Sequence, residues 1–177
     1  MPNVFVVRDE LFDALGQKFT FEEFEDLCFE FGLEVELSST SEMPLRQNEE
    51  IKEEEAYKIE VPANRYDLLC IEGIATALRA YLGKGKYPLY HIKNSSEKRE
   101  QIFVRPETKE VRPYALGAIL RNLRFSRNSY NSFIDLQDKL HENICRRRTL
   151  CSMGTHDLDK MKFPVSYEAL PPEEIIF

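Results

Sequence analysis

The stretch VPANRYDLLCIEGIATALRAYLG, residues 61–83, constrains the fold more than any other part of the sequence. Pro62 disfavours the helical conformation at Val61, so the helix that follows must begin after that residue. The apolar residues that follow recur at helical spacing, and Gly83 provides a stop. The stretch therefore predicts a strand end, a turn and a helix. The predicted buried stripe consists of Leu68, Ile71, Ala75, Leu78 and Leu82.

The turn before this predicted helix carries three polar residues, Asn64, Arg65 and Asp67. Asn64 or Asp67 can accept hydrogen bonds from the first free amides of the helix. Arg65 can form a planar, bidentate pair with Asp67 or with a carboxylate of another element. A helix start with an ion pair explains the turn most simply, and a ligand-gripping site is the alternative.

The residues around this stretch predict a small α+β module. Thr20 and Glu23 form a capping-box pattern ahead of a one-sided apolar helix, and Gly32 is placed to end that helix. Asp9 is a candidate cap for a brief helix that Gly16 can end. The predicted elements are a strand at 3–7, helices at 9–16 and 21–31, and strands at 33–37 and 56–61.

Charge is distributed unevenly along the chain. Residues 1–60 contain 5 Lys+Arg against 17 Asp+Glu, whereas the other residues contain 19 against 14. Such asymmetry suggests two units with different partners. Residues 38–55 lack an apolar period and predict a mobile acidic loop. An exposed connection at 86–95 predicts a boundary between a first unit at 1–85 and a second at 96–177.

The second predicted unit is also α+β. Its helix at 132–145 has one apolar face and is followed by Arg146, Arg147 and Arg148, which suit the helix dipole. Arginines at this place can also contact a phosphate backbone, so they are candidate tRNA contacts. Solvation of the helix end is the alternative. The predicted strands lie at 102–104, 111–125, 149–156 and 163–170.

The sequence GTHDLDK, residues 154–160, places His156 next to Asp157. A histidine beside a carboxylate can orient water, but adjacent strand residues point to opposite faces. An aspartate that caps a turn is the simpler explanation. The cysteines and histidines lack metal-site spacing, so we expect free thiols and no metal site. No phosphate-binding loop, nucleophile elbow or HExxH motif is present in the sequence.

No apolar run reaches the length of a membrane span, and the amino terminus lacks a signal pattern. We therefore expect a cytoplasmic protein without a membrane partner.

Five stretches together resemble the amino-terminal region of the β subunit of phenylalanyl-tRNA synthetase, in its eukaryotic and archaeal cytosolic form. They are RDELFDALG, FEEFEDLCFEFGLE, VPANRYDLLCIEGIATALRAYLG, RPYALGAILRNLRF with FIDLQDKLHENICRRR, and GTHDLDK. The resemblance covers nearly the whole chain. It implies a small α+β module followed by the first part of a larger α+β module of the tRNA-editing type.

The resemblance also implies a part in an aminoacyl-tRNA synthetase, a ligase. In that family an α2β2 heterotetramer attaches phenylalanine to tRNA(Phe) with ATP and Mg2+, and the β subunit hydrolyses mischarged Tyr-tRNA(Phe). The implied partners are the α subunit and tRNA(Phe). The implied role of this chain is assembly, tRNA contact and the start of the editing module. We expect no ATP or Mg2+ bound to this chain and no aminoacylation by it alone.

The resemblance gives the candidate residues their expected roles. Asn64, Arg65 and Asp67 would shape a structural turn. His156 and Asp157 would lie in the editing module, although His156 stands one residue before the aspartate and the corresponding bacterial histidine stands three before. The residues that discriminate tyrosine are expected beyond the end of this sequence. A free-standing trans-editing hydrolase and a non-catalytic RNA-binding module are the alternative functions.

Overall fold

The computed structural model describes residues 2–42, 54–92 and 99–175. Contacts between Cα atoms group the chain into two compact units. The first comprises Met1–Leu89 and Phe125–Met153, and the second comprises Tyr90–Arg124 and Gly154–Phe177. The boundary predicted at 86–95 stays a prediction, and most of the loop predicted at 38–55 lies outside the described residues.

In its described residues, the first unit contains a three-stranded antiparallel sheet and four α-helices. The strand order is β1-β3-β2, with Val4 and Val35 both opposite Ile59. The chain order is β1 (Asn3–Val7), α1 (Arg8–Leu15), α2 (Phe21–Phe31), β2 (Glu34–Ser39), β3 (Glu55–Glu60), α3 (Ile71–Tyr81) and α4 (Arg127–Glu142). The mixed helix and strand content confirms the α+β class.

The helix ends of this unit follow the predicted local signals. Thr20 Oγ1 accepts from the Glu23 amide at 3.2 Å, and Glu23 Oε2 accepts from the Thr20 amide at 2.9 Å, so the capping box is present. Gly16 and Gly32 end α1 and α2 in the left-handed conformation, with φ of 70° and 89°. The prediction for Asp9 was wrong, because α1 begins after Val7 and has no side-chain cap.

The core of this unit lies between the sheet and its helices. The cross-strand row of Val4, Ile59 and Val35 is buried, and the Tyr57 ring stacks on Phe24 at a centroid distance of 5.0 Å. Fully burying a large apolar side chain contributes about 1.5–3 kcal/mol. The helical residues buried in this core are Leu11, Phe12, Leu15, Phe24, Leu27, Cys28, Ile74, Ala75, Ala77 and Leu78.

Helix α4 belongs to this unit although it follows the second unit's first segment in sequence. It begins at a capping box of Ser126 and Ser129, and Leu136 and Leu140 pack against the core. Asn128 donates a hydrogen bond to Glu10 of α1, and Ser132 donates to Glu72 of α3. The helix therefore begins earlier and ends earlier than the predicted 132–145.

The second unit contains a two-stranded parallel sheet of β4 (Ile102–Val104) and β5 (Val165–Tyr167). The strand predicted at 111–125 is wrong, since these described residues form no ladder and Tyr114 and Leu116 are exposed. The strand predicted at 149–156 is wrong for the same reason. A segment forms a strand only where a neighbouring strand satisfies its backbone groups.

Candidate functional site

The Arg65–Asp67 pair is the centre of the turn between β3 and α3. Arg65 Nε and Nη2 donate to the two carboxylate oxygens of Asp67 at 2.9 and 2.8 Å, which is the predicted bidentate geometry. The guanidinium carbon also lies 5.4 Å from the centroid of the Phe31 ring. Hydrogen bonding to Arg65 lowers the pKa of Asp67 below its ordinary value. The pair therefore ties the turn to the end of α2.

Helix α3 begins in a way that was not predicted. A short 3-10 segment, Tyr66–Leu68, precedes α3, whose N-cap is Cys70 without a side-chain hydrogen bond. The prediction that Asn64 or Asp67 caps the helix was therefore wrong. Asp67 bonds Arg65 instead, because the intervening 3-10 segment moves the helix start to Ile71.

Gly73 allows this turn to lie directly against α3. A Cβ atom at Gly73 would lie 1.9 Å from the Asp67 carbonyl oxygen, far below ordinary contact. Sequence reasoning missed this requirement. A glycine in the first turn of a helix otherwise rich in good helix formers was the available signal.

The turn after α4 carries Arg146, Arg147 and Arg148 in a left-handed conformation, with φ of 49°, 51° and 63°. This conformation costs a residue with a side chain about 1–2 kcal/mol. We call residues 145–151 the arginine turn. The amide of Cys145 donates to Leu140 O at 3.0 Å, and the amide of Leu150 donates to Cys145 O at 3.1 Å. These bonds close the turn and hold the strained backbone.

The three arginines of this turn are exposed, and they differ in their acidic neighbours. Arg147 Nε lies 3.4 Å from Glu142 Oε2, and Arg148 Nη2 lies 3.3 Å from Asp138 Oδ1. Exposed pairs of this kind contribute about 0–1 kcal/mol and exchange readily for another anion. Among the described residues no carboxylate pairs with Arg146. The turn thus presents guanidinium groups to solvent on a constrained backbone.

His141 anchors the chain on both sides of the arginine turn. It is only 3% exposed, and its Nε2 accepts from the Met153 amide at 2.8 Å. Arg148 Nε lies 3.2 Å from Nδ1, but a neutral imidazole has one acceptor nitrogen. The Met153 amide is held in place by the backbone, whereas the Arg148 side chain can rotate, so we assign the acceptor to Nε2. Sequence reasoning gave His141 no role.

His156 and Asp157 lie in the second unit, and both are exposed. Asp157 Oδ1 accepts from the Asp159 amide at 3.1 Å and caps the 3-10 segment Leu158–Lys160. This is the simpler of the two explanations offered by the sequence. The side chain of His156 lies beside Gly154, where an added Cβ would be 3.1 Å from its Nε2.

Within the described residues, no group of three or more His, Cys, Asp or Glu side chains is placed to hold a metal ion. A surface depression of about 250 Å³ lies on the first unit, lined by Phe29 and by acidic residues including Glu25 and Glu36. Negative charge at this depression disfavours RNA there. None of the helices in the described part is long and apolar enough to cross a membrane.

The first unit is a small α+β module, and its similarity to known proteins places it among aminoacyl-tRNA synthetase subunits. Residues 1–84 match the family model described as Phe-tRNA synthetase beta subunit B1 domain. The whole chain is 50% identical to phenylalanine–tRNA ligase beta subunit of Drosophila melanogaster, of which it covers 31%. It is equally 50% identical to the cytoplasmic beta subunit of Arabidopsis thaliana, again over 31% of that protein.

A solved structure agrees with these relatives. It is an N-terminal fragment of the phenylalanyl-tRNA synthetase beta-subunit from Pyrococcus horikoshii, 30% identical, with a TM-score of 0.77 over 94% of this chain and 45% of that chain. The sequence resemblance is thereby confirmed. Over its whole length the chain matches the amino-terminal portion of phenylalanine–tRNA ligase beta subunits, and it spans about a third of the length of these curated relatives.

Proposed function

We propose that this chain serves in phenylalanine–tRNA ligase, where its first unit takes part in assembly with the α subunit and its arginine turn contacts tRNA(Phe). The observation that carries the tRNA contact is the strained, exposed triplet of Arg146, Arg147 and Arg148. Strain in non-glycine residues persists where surrounding structure enforces it, and such positions cluster at binding sites. Assembly with the α subunit is proposed from the similarity to beta subunits.

The second unit, in this proposal, begins the module that hydrolyses mischarged Tyr-tRNA(Phe). Support comes from the similarity of the whole chain to beta subunits and from the exposed apolar residues Tyr114, Leu116 and Leu120. A run of exposed apolar side chains is expected to be covered in an assembled enzyme. His156 would then lie near the editing site, whereas Asp157 shapes the backbone. ATP and Mg2+ would act elsewhere in the enzyme, in the cytoplasm.

Salt-dependent RNA binding tests the arginine turn. Each phosphate contact contributes about 0.7–0.9 to the slope of log affinity against log salt. In the double variant Arg146→Gln with Arg147→Gln, binding of a tRNA(Phe) transcript should weaken and the slope should fall by about 1.4–1.8. Fluorescence anisotropy across a salt series measures both quantities.

A charge-matched control separates contact from net charge. Lys18 and Lys86 are exposed cations away from the arginine turn in sequence, and replacing both by Gln removes the same charge. Equal loss of slope in the two double variants would refute the proposed contact.

For editing, release of tyrosine from Tyr-tRNA(Phe) by the assembled enzyme should slow in His156→Ala. An unchanged rate would remove His156 from the editing site.

A further inference from the structure

Two thiols meet at the ends of the arginine turn. The Sγ atoms of Cys145 and Cys151 lie 3.2 Å apart, and both residues are unpaired thiols in this structure. A disulfide bond is about 2.0 Å long, so the sulfur atoms need to approach by only about 1.2 Å. The hydrogen bond from the Leu150 amide to Cys145 O at 3.1 Å already brings the two ends of the turn together.

The two cysteines differ in accessibility in a way that suits stepwise oxidation. Cys151 is exposed, whereas the side chain of Cys145 is only 2% exposed. Burial is the larger cause that raises the pKa of Cys145, and the neighbouring Cys151 thiol is the smaller one. An exposed thiol reacts first with a solution oxidant, since oxidation requires access and thiolate character. The buried thiol is then in place to resolve the product.

We propose that Cys145 and Cys151 form an oxidation site, in which an intramolecular disulfide closes the turn that carries Arg146, Arg147 and Arg148. The oxidant is a small-molecule disulfide of the glutathione class. This inference concerns the covalent state of the chain and does not rest on the proposed tRNA contact.

The reaction consists of two thiol–disulfide exchanges. The Cys151 thiol loses its proton, and the thiolate attacks one sulfur of the oxidant; the oxidant's S–S bond breaks, and the leaving thiolate takes up a proton. The Cys145 thiol then loses its proton and attacks Cys151 Sγ. The protein S–S bond forms, and the second small thiol leaves with a proton. Two protein thiols are oxidised, and one small disulfide is reduced to two thiols.

Peptide mapping of the full chain tests the proposal, because trypsin can cut after each arginine between the two cysteines. After incubation with oxidised glutathione, the Cys145 and Cys151 peptides should remain linked without reductant and separate after reduction. The intact mass should fall by two hydrogens. Cys28, which is buried, and Cys70, which is half-buried, should stay available for alkylation once the chain is unfolded.

Two variants complete the experiment. Cys151→Ser should prevent the cross-link, whereas Cys70→Ser should leave it unchanged, and far-UV circular dichroism checks that both variants fold. A stable glutathione adduct at Cys151 with Cys145 still free would overturn the proposal. Two unreacted thiols, or cross-links that involve Cys28 or Cys70, would overturn it as well.

Discussion

Replacing Gly73 by alanine tests how closely α3 lies against the Arg65–Asp67 turn. The added Cβ would sit 1.9 Å from Asp67 O and 3.0 Å from Asp67 C, so a shift of about 1.5 Å is needed to reach the 3.4 Å of ordinary contact. The helix cannot move freely, because Ile74, Ala77 and Leu78 are buried in the core. Both contacting atoms belong to the backbone of the turn, so no side-chain rotation relieves the overlap.

The expected cost follows from two opposing effects. Overpacking of a filled site costs about 1–3 kcal/mol, and occasionally more. Alanine gains about 1 kcal/mol over glycine in helix propensity, although less in the first turn. Because the overlap is with backbone, we expect the upper end of the overpacking range and a net loss of about 2 kcal/mol. For a chain of this size, that loss lowers Tm by about 4–8 °C.

Urea unfolding followed by circular dichroism measures the free energy of unfolding of this variant. Gly85→Ala is the matched control, since its added Cβ would meet only Arg79 Cβ at an ordinary 3.9 Å. We expect the control to change stability by less than about 0.5 kcal/mol. A Gly73→Ala chain as stable as the control would refute the close approach of the turn to α3.

Three further predictions concern the first unit. Arg65→Ala should lower the free energy of unfolding by up to about 1 kcal/mol, since the pair is partly exposed and screened; unchanged Tm with lost tRNA binding would contradict a structural role. The pKa of Asp67 is lowered in the folded chain, so the stability that its carboxylate contributes is present above about pH 3.9 and is lost as the pH falls below that value. In Asp67→Asn, the free energy of unfolding should therefore fall less steeply with decreasing pH in the acid range. An unchanged acid dependence would exclude this linkage. Thr20→Ala should cost about 1 kcal/mol by removing the cap of α2, whereas equal stability would show that the capping box contributes nothing.

The state of Cys28 gives a test that needs no substitution. Burial raises its pKa to about 12, so the thiol stays protonated and unreactive at neutral pH. We expect iodoacetamide to label Cys151 quickly and Cys28 only when the chain unfolds. Rapid labelling of Cys28 in the native chain, read by peptide mass, would contradict its burial in the core.

The first unit was largely predictable because its signals are local. Thr20 and Glu23 lie within one helical turn, so their capping box needs no tertiary partner. Gly32 can adopt a positive φ at little cost, which sets the end of α2. The Arg65–Asp67 pair spans two residues and formed as predicted. The chain's relation to a family was likewise readable from its collinear stretches.

The tertiary structure decided what depends on distant neighbours. A strand exists only when another strand pairs with it, so the composition of residues 111–125 could not establish one. The placement of α4 in the first unit depends on Leu136 and Leu140 meeting a core built from residues far earlier in sequence. The approach of Cys145 to Cys151 depends on the left-handed turn between them, and no sequence pattern predicts three consecutive arginines in that conformation. The sequence alone determined the Thr20–Glu23 capping box and the glycine ends of α1 and α2, because these depend on residues within one turn of the chain. The starts of α1 and α3, the packing partners and the geometry of the arginine turn were decided by the folded chain.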